Sequence, residues 1–529
     1  MASIAGRPGQ ESASVIGASS APWDAETLRN LWLSTLEGDQ VIVVSNREPC
    51  VHERIGGTVT ITRPASGLVT AVEPVARACS ATWIAHGSGN ADRDVVDDAD
   101  VSQVSPDSNG YRVRRVWLTA DERSGHGEQF SNAGLWPLCH MASVCPAFGE
   151  HDWNQYRIVN QRFADAVAEE ARQPDPIVLV QDYLLALVPA MVRTRLPRAT
   201  IVTFWHIPWA PPERMRVCPW LSELMDGLLG SDIMGLQTPS HRRHFVDSAD
   251  QHATRSAAHH RHKIASHRHH TRILDYPISI AWPTEAEAAA FPSVERCRVD
   301  AAERWSLPSD GRLIVGVDRF DYAKGLIERL RAVEHLLLAH RAWLGRLRFV
   351  QVAAPTRTGL SAYTQYRLQV FAEVRRINAR FARMGWVPIV LLDEHHEHEA
   401  ITALYRAADL CLVTSLQDGM NLGCKEFVAA RDDDQGVLVL SRFAGAAHEL
   451  SAALIVDPHH TEQVADALHR GLSMSSEEQR WRMQSLRATV KHRNVFRWAA
   501  SVLLDTAALR SAAPRQRNDR VAGGIAASV

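Results

Sequence analysis

Short apolar runs recur along the chain, each followed by a turn and then by a stretch of helical spacing. Residues 41–44, 82–85, 113–119, 176–180, 199–204 and 233–236 form one series of such runs. Residues 313–317, 348–353, 388–392, 408–413, 436–440 and 453–456 form a second. Their Val, Ile and Leu mostly come without polar alternation, the pattern of strands covered on both faces, as in a parallel sheet. Between and after them, 25–36, 68–78, 153–170, 221–229, 326–340, 400–407, 461–474, 476–488 and 495–509 read as helices. A chain that alternates strand and helix in this way is α/β.

The rhythm breaks once. Tyr276-Pro277-Ile278-Ser279-Ile280 leads to Trp282-Pro283, and a polar helical stretch begins at Glu285. Two domains are therefore expected, 38–282 and 283–510, the second carrying the terminal helices. Residues 1–37 form an N-terminal extension, aperiodic and rich in Ala, Ser and Gly at first, and expected to be partly disordered. Residues 511–529 are expected to form a loose tail. The length of 529 residues supports the division, because a single core does not grow to that size.

Composition excludes more than it selects. Hydrophobic residues at 46% and charged residues at 22% are ordinary for a globular protein. A net charge of −2 gives no general attraction to nucleic acid or to anionic membranes. The eight Cys are scattered, without a CxxC pair, which favours a reducing compartment. No basic stretch followed by an apolar run opens the chain. No apolar run reaches the roughly 18 residues of a spanning helix; the candidate around 179–192 is interrupted by Gln181 and Asp182. A cytoplasmic enzyme is expected, with no nucleic-acid or membrane partner; a homo-oligomer is left open.

The chemistry gathers at the carboxyl ends of the strands, where open α/β sheets bind ligands. The stretch 413–430, VTSLQDGMNLGCKEFVAA, reads as strand end, turn and helix. Free N–H groups at the start of that helix, near Asn421 and Leu422, suit a diphosphate. Glu426 lies one helical turn past Leu422 and can accept two hydrogen bonds from a vicinal diol such as a ribose. The run Asp318-Arg319-Phe320-Asp321-Tyr322-Ala323-Lys324-Gly325 joins another strand to a helix. Its Arg319 can fork onto two phosphate oxygens and its Lys324 can act as a point charge, with Asp318 and Asp321 expected to orient them.

In the first half, Ser45-Asn46-Arg47 ends a strand and Ser66-Gly67 precedes a helix. Arg47 can reach a phosphate, and Gly67 permits close backbone approach. Asp182 in Gln181-Asp182-Tyr183, and His206 in Trp205-His206-Ile207-Pro208, end two further strands. Trp136, in the segment 129–137, can stack on a sugar face. Seven His crowd 252–270 and an HHEHE run fills 395–399; with no Cys beside them and a polar setting, an exposed, variable hairpin is favoured over metal ligands for the first, and an exposed segment for the second.

Together these segments resemble the trehalose-6-phosphate synthase family, retaining glycosyltransferases of family 20. DRFDYAKG and DGMNLGCKE match its donor motifs, and SNR, SGL, FSN…LWP, QDY and HIP match in the same order. The resemblance implies a GT-B fold, two Rossmann-like domains facing across a cleft. It implies transfer of glucose from UDP-glucose to glucose 6-phosphate, with no cofactor and no metal required; uracil or guanine as the donor base stays open. Under it, Gly67, Arg319, Lys324, Asn421, Leu422 and Glu426 bind the donor. Arg47, Trp136, Asp182 and Arg357 bind the acceptor, Arg357 standing six residues before Tyr363 as in the family's loop. His206, Arg319, Lys324 and Asp418 carry the catalysis. The chain departs from the pattern at His86, where an aromatic is usual, at His126 and Gly127, where tyrosines are usual, and in QDYLL, where HDYHL is usual. Other phosphorylated acceptors, such as glycerol 3-phosphate or a cyclitol phosphate, and a non-catalytic sugar-phosphate sensor are the alternatives.

Overall fold

Two sheets carry the molecule, and each is built from the apolar runs of one half of the chain. The computed structural model describes residues 23–63, 67–104, 110–253, 259–260, 263–266, 269–382 and 386–512. Expectations for residues 1–22, for Ser66 and for the tail beyond 512 lie outside the described residues.

The first sheet contains β1 (Val41–Ser45), β4 (Thr82–His86), β5 (Val101–Val104), β6 (Tyr111–Val116), β7 (Ile177–Gln181), β8 (Thr200–Phe204) and β9 (Ile233–Leu236). Its far edge is β10 (His259–His260), β11 (Lys263–Ser266) and β12 (His269–Asp275), and its order is β10-β11-β12-β9-β8-β7-β1-β4-β6-β5. A separate hairpin pairs β2 (Val51–Ile55) with β3 (Thr58–Thr62). The His-rich segment thus supplies antiparallel edge strands, as far as its residues are described. Among the described residues no group of three or more His, Cys, Asp or Glu is placed to hold a metal ion.

The second sheet contains β13 (Arg312–Arg319), β14 (Leu347–Ala354), β15 (Ile389–Leu392), β16 (Leu410–Val413), β17 (Val437–Ser441) and β18 (Leu454–Val456), in the order β15-β14-β13-β16-β17-β18. Every pairing in it is parallel. Strand residues such as Ile42, Val44, Val180, Ile314, Val350 and Leu412 are fully buried, which is why these runs show no polar alternation. Two α/β sheets with helices on both faces, facing one another across a cleft, make the GT-B architecture.

Each sheet has one place where strand order reverses. In the first, β1 has β7 on one side and β4 on the other; in the second, β13 has β14 and β16. Crevices open beside the carboxyl ends of strands at such points. The ends of β1, β7, β13 and β16 and the loops after them carry Arg47, Asp182, Arg319–Lys324 and Asp418.

The two halves meet along these loops. A Cβ placed on Gly419 would stand 2.3 Å from the His206 carbonyl oxygen, and one on Gly67 would stand 3.1 Å from Leu422 Cδ1. A side chain at Gly419 would therefore push the halves apart. The chain crosses between them near Ile278, whose carbonyl accepts 2.8 Å from the buried Lys425 Nζ.

The last helix differs from expectation in its neighbours. Val495–Ala512 lies against the helices Ala25–Thr35 and Gly67–Ala78 and against β8, all in the first half. Val495 N–H donates to Ile280 O at 2.9 Å, and Tyr276 OH donates to Asp505 Oδ2 at 2.8 Å. Its apolar residues Trp498, Val502 and Leu503 complete a core that the first half leaves open. Chain order placed this helix with the second half; packing places it on the first.

One local element was not expected. Residues between β6 and the helix Glu150–Glu170 form a π-helical stretch, Arg123–Leu135, continuous with the short helix Trp136–Cys139. Gly125, Gly127 and Gly134 remove the 3.6-residue apolar stripe from this segment, so no helix was legible. π-Helical turns concentrate at functional sites, and this one borders the cleft.

Candidate active site

The donor side is built on the loops after β13 and β16. Lys324 Nζ lies 2.5 Å from Asp418 Oδ2, and both side chains are largely buried. Ser415 Oγ and Asn421 Nδ2 also donate to that oxygen, each at 3.1 Å. Burial opposes ionisation of Asp418, but the Lys324 ammonium and these hydrogen bonds hold its carboxyl down at about 2. Burial also works against the Lys324 charge, and Asp418 more than restores it.

Asn421 caps the helix Leu422–Ala430: its Oδ1 accepts from Cys424 N–H at 3.0 Å. Its φ of +76° is a left-handed conformation, costly for a non-glycine residue and typical of sites held for function. Among the described residues no group accepts the N–H of Leu422 or Gly423, so the start of this helix keeps donors for an anion. Glu426 follows on the same helix, partly buried and without a hydrogen-bond partner among the described residues. Burial raises its carboxyl, and His398 nearby opposes the rise.

The expected orienting role of Asp318 and Asp321 is corrected. Asp318 Oδ2 accepts from the buried Arg329 Nη2 at 2.7 Å and so pairs with Arg329 instead of Arg319, while its charge still supports that of Lys324. Asp321 instead faces the acceptor side. Its Oδ2 lies 3.2 Å from Arg357 Nη1, and its Oδ1 accepts from Trp136 Nε1 at 3.4 Å and Ala323 N–H at 3.0 Å. Lys324 is oriented by Asp418. Arg319 has no ion-pair partner among the described residues; its guanidinium stands 5.7 Å from the Trp136 ring centroid.

The acceptor side draws on both halves. Arg357, at φ +48°, donates to Tyr363 OH at 2.5 Å and to Tyr183 OH at 3.2 Å. Tyr183 in turn donates to Asn132 Oδ1 at 2.8 Å. Trp136 departs from its expected role as a sugar platform: Arg357 lies 3.8 Å from its ring centroid, and His140 stacks on it at 4.0 Å. A planar cation on an indole face is a stable arrangement, and it leaves the indole serving Arg357. Burial works against the Arg357 charge, and Tyr183, Tyr363 and Asp321 more than restore it.

Arg47 is exposed at the mouth of the cleft. Its backbone is fixed from below, where buried Ser45 Oγ donates to Arg47 O at 2.5 Å and accepts from Trp83 Nε1 at 2.8 Å. The surrounding protein lowers its pKa, and the positive charges of Arg319 and Arg357 lower it further. Three guanidiniums that repel one another at a cleft suit a multiply charged anion.

Asp182 leaves β7 at φ +76° and ψ 169°, a strained conformation for any residue but glycine. Its Oδ1 is buried and has no partner among the described residues. Burial raises its carboxyl to about 7, against the pull of the Tyr183 and His206 N–H groups and of Arg357 and Arg47. His206 Nε2 donates to Gln181 Oε1 at 2.9 Å, and burial pushes its ring down to about 3. The imidazole is therefore neutral, and Gln181, standing where HDYHL has its first His, orients it.

The histidines that break the family pattern are buried. His126 Nε2 donates to Leu184 O at 2.9 Å and burial lowers its ring to about 4; His86 Nδ1 donates to Val116 O at 3.1 Å. At Gly127 a Cβ would meet no atom within 4 Å.

Several participants were not singled out from sequence. Tyr183 stands in the sequence only as a neighbour of Asp182, Asp321 carries no sign there of its contact with Arg357, and His140 gives no signal because only the fold lays it on Trp136. Beside Arg47, a buried network joins Glu48, Arg115, Asp92 and His52. Arg115 pairs with both acids, and His52 Nδ1 lies 2.8 Å from Asp92 Oδ1. Burial raises Glu48 to about 7 in spite of Arg115. Nothing in a lone Glu after SNR predicted this.

Known proteins share this architecture. A Trehalose-6-phosphate synthase from Mycolicibacterium paratuberculosis is 38% identical over 470 residues, covering 87% of this chain and 94% of the relative. A structure from E. coli bound with UDP-2-fluoro glucose superposes with a TM-score of 0.78 at 31% identity, covering 88% of this chain and 99% of that one. An alpha,alpha-trehalose-phosphate synthase (UDP-forming) from Burkholderia xenovorans in complex with glucose-6-phosphate gives a TM-score of 0.75 at 31% identity, covering 88% and 99%. The family description Glycosyltransferase family 20 matches residues 39–508. The chain belongs to glycosyltransferase family 20.

Proposed function

We propose that this protein transfers glucose from UDP-glucose to glucose 6-phosphate, with retention at the anomeric carbon, giving trehalose 6-phosphate and UDP. One observation carries the reading: cations from three strand ends converge on the cleft, with the Lys324–Asp418 pair on the donor side and Arg47 and Arg357 on the acceptor side. Two relatives of the same fold are described with UDP-2-fluoro glucose and with glucose-6-phosphate.

The geometry supports the following assignment of roles. Arg319 and Lys324 stabilise charge that grows on the leaving diphosphate, the largest electrostatic demand of the step. The N–H groups of Leu422 and Gly423 add to them, and Gly67 lets the facing backbone come close. Glu426 takes the ribose hydroxyls. Asp418, fixed by Lys324, and neutral His206 hold the transferred glucose by hydrogen bonds, and Asp182 holds the acceptor sugar. Arg47 and Arg357 take the acceptor phosphate. Attack comes from the face the diphosphate leaves, and a phosphate oxygen receives the acceptor proton. No divalent ion is required, since the two cations offset the diphosphate charge. No described helix is long and apolar enough to cross a membrane.

The test is nucleotide release by the purified protein with a panel of nucleotide sugars and phosphorylated acceptors. UDP release that requires both UDP-glucose and glucose 6-phosphate is expected. Release with another phosphorylated acceptor alone would redirect the acceptor assignment, and no release with any pair would remove the catalytic reading.

A further inference from the structure

Three strands at the order reversal of the first sheet end in a row of hydrogen-bond acceptors. Val44 pairs with Ile84 on β4, and Ser45 pairs with Gln181 on β7. Extending those registers puts Asn46 level with His86 on one side and with Asp182 on the other. Neighbouring strands lie about 4.8 Å apart, so the three residues stand side by side along the carboxyl edge. Val44, Ile84 and Val180 share one core cluster beneath them.

Each of the three presents a buried polar atom with no partner among the described residues: Asn46 Oδ1, His86 Nε2 and Asp182 Oδ1. His86 as a whole is 9% exposed. Its Nδ1 donates to Val116 O, so the Nε2 left over is a lone pair, an acceptor. Asn46 Oδ1 and His86 Nε2 therefore want donors, and Asp182 accepts one in its ionised form. Buried acceptors without donors are costly, and sites keep them for a ligand that supplies the missing hydrogens. A phosphate has none to supply and would be repelled. A ring of neighbouring hydroxyls supplies one per acceptor.

We propose that Asn46 and His86, with Asp182, read adjacent hydroxyl groups of the acceptor's ring, and that His86 is a specificity-determining residue of this chain. The proposal deepens the sugar-phosphate reading and rests on it. The phosphate of the same acceptor goes to Arg47, the next residue after Asn46.

The experiment is a deoxy scan. kcat/KM is measured for glucose 6-phosphate and for its monodeoxy analogues with the unaltered protein, with His86→Phe and with His86→Gln, and the Tm of each is recorded. In the unaltered protein, one analogue should lose at least tenfold through its missing hydroxyl. His86→Phe should raise KM for glucose 6-phosphate about tenfold, leave KM for UDP-glucose unchanged and erase the penalty of that one analogue. His86→Gln, which keeps an acceptor oxygen, should restore part of it. If the unaltered protein treats every monodeoxy analogue within twofold of glucose 6-phosphate, the proposal falls, whether or not the variants fold. It falls equally if His86→Phe leaves every penalty in place. In both cases turnover of glucose 6-phosphate still stands as support for the transferase reading; absence of turnover with any sugar phosphate removes both.

Discussion

The Arg357 guanidinium lies 3.8 Å from the centroid of the Trp136 ring, and the two residues come from opposite halves of the chain. Asp321 ties them together by accepting from both. The acceptor-side arginine is thus aimed by an indole that belongs to the other domain. A buried cation–π contact contributes about 2 kcal/mol. Trp136→Leu should therefore raise KM for the phosphorylated acceptor by about tenfold or more, while Trp136→Phe, which keeps a ring face, should lose much less. Steady-state kinetics with both variants checks this; equal losses would mean that Trp136 acts by volume alone.

Arg319 and Lys324 should separate in stability although both are needed for turnover. Losing one group that stabilises a developing oxyanion costs about 10²–10³ in rate, and each Ala variant should show at least that. Lys324→Ala also leaves Asp418 without its buried counter-charge, at a cost on the order of 3 kcal/mol. Arg319 has no ion-pair partner to abandon among the described residues. Thermal or urea unfolding should show Lys324→Ala clearly destabilised and Arg319→Ala close to the unaltered protein. Wild-type kcat in either variant would remove the donor-site assignment.

Much of the fold was legible because buried parallel strands announce themselves. Runs such as Val41–Ser45 and Leu410–Val413 have no polar face to hide. The loops 318–325 and 418–426 were legible as strand–turn–helix passages, the first with Arg319 and Lys324 ahead of a helix and the second with a turn running into a helix start. What was not legible depends on residues far apart in sequence. Asp418 holds Lys324 across 94 residues, and Asp321 meets Arg357 across 36. Asp318 was misread because adjacency to Arg319 suggested pairing, whereas strand geometry sends it to Arg329. The last helix was misplaced because its apolar face says that it must be covered, not by what.

Stability should depend on pH through Asp182. Burial raises its carboxyl to about 7 in the folded chain, against about 3.9 in the unfolded one. Between those values the folded state holds a proton that the unfolded state has released. Stability from this group is therefore present at low pH and falls as pH rises toward 7, by up to about 1.4 kcal/mol per unit. Glu48 pulls in the same direction. Asp182→Asn should gain stability relative to the unaltered protein as pH goes from about 5 to 8. Urea midpoints at both pH values check the sign; parallel curves would show that Asp182 titrates normally.

Chelation should leave turnover intact. A diphosphate leaving group needs positive charge, and Arg319 with Lys324 supplies it from fixed positions, together with the N–H groups at the start of the helix Leu422–Ala430. Initial rates in excess EDTA should match those with added Mg²⁺ within about twofold. Complete loss in EDTA, restored by Mg²⁺ or Mn²⁺, would mean that the cations do not suffice.

Arg357 should govern the acceptor and spare the donor. Its guanidinium is held by Tyr183 from the first half and by Tyr363 and Asp321 from the second, and Arg47 stands across the cleft mouth. An anion that engages both arginines relieves their mutual repulsion and draws the halves together, which excludes water from the donor contacts. Hydrogen bonds to a charged group contribute about 1.5–3 kcal/mol each. Arg357→Ala should then raise KM for glucose 6-phosphate by about tenfold or more and KM for UDP-glucose much less. Free glucose, which has no phosphate to lose, should be a poor acceptor for the unaltered protein and scarcely poorer for the variant. Measured KM values for both substrates in both proteins decide it: an effect of Arg357→Ala confined to UDP-glucose, or free glucose serving as well as glucose 6-phosphate, would end the assignment of this arginine to the acceptor phosphate.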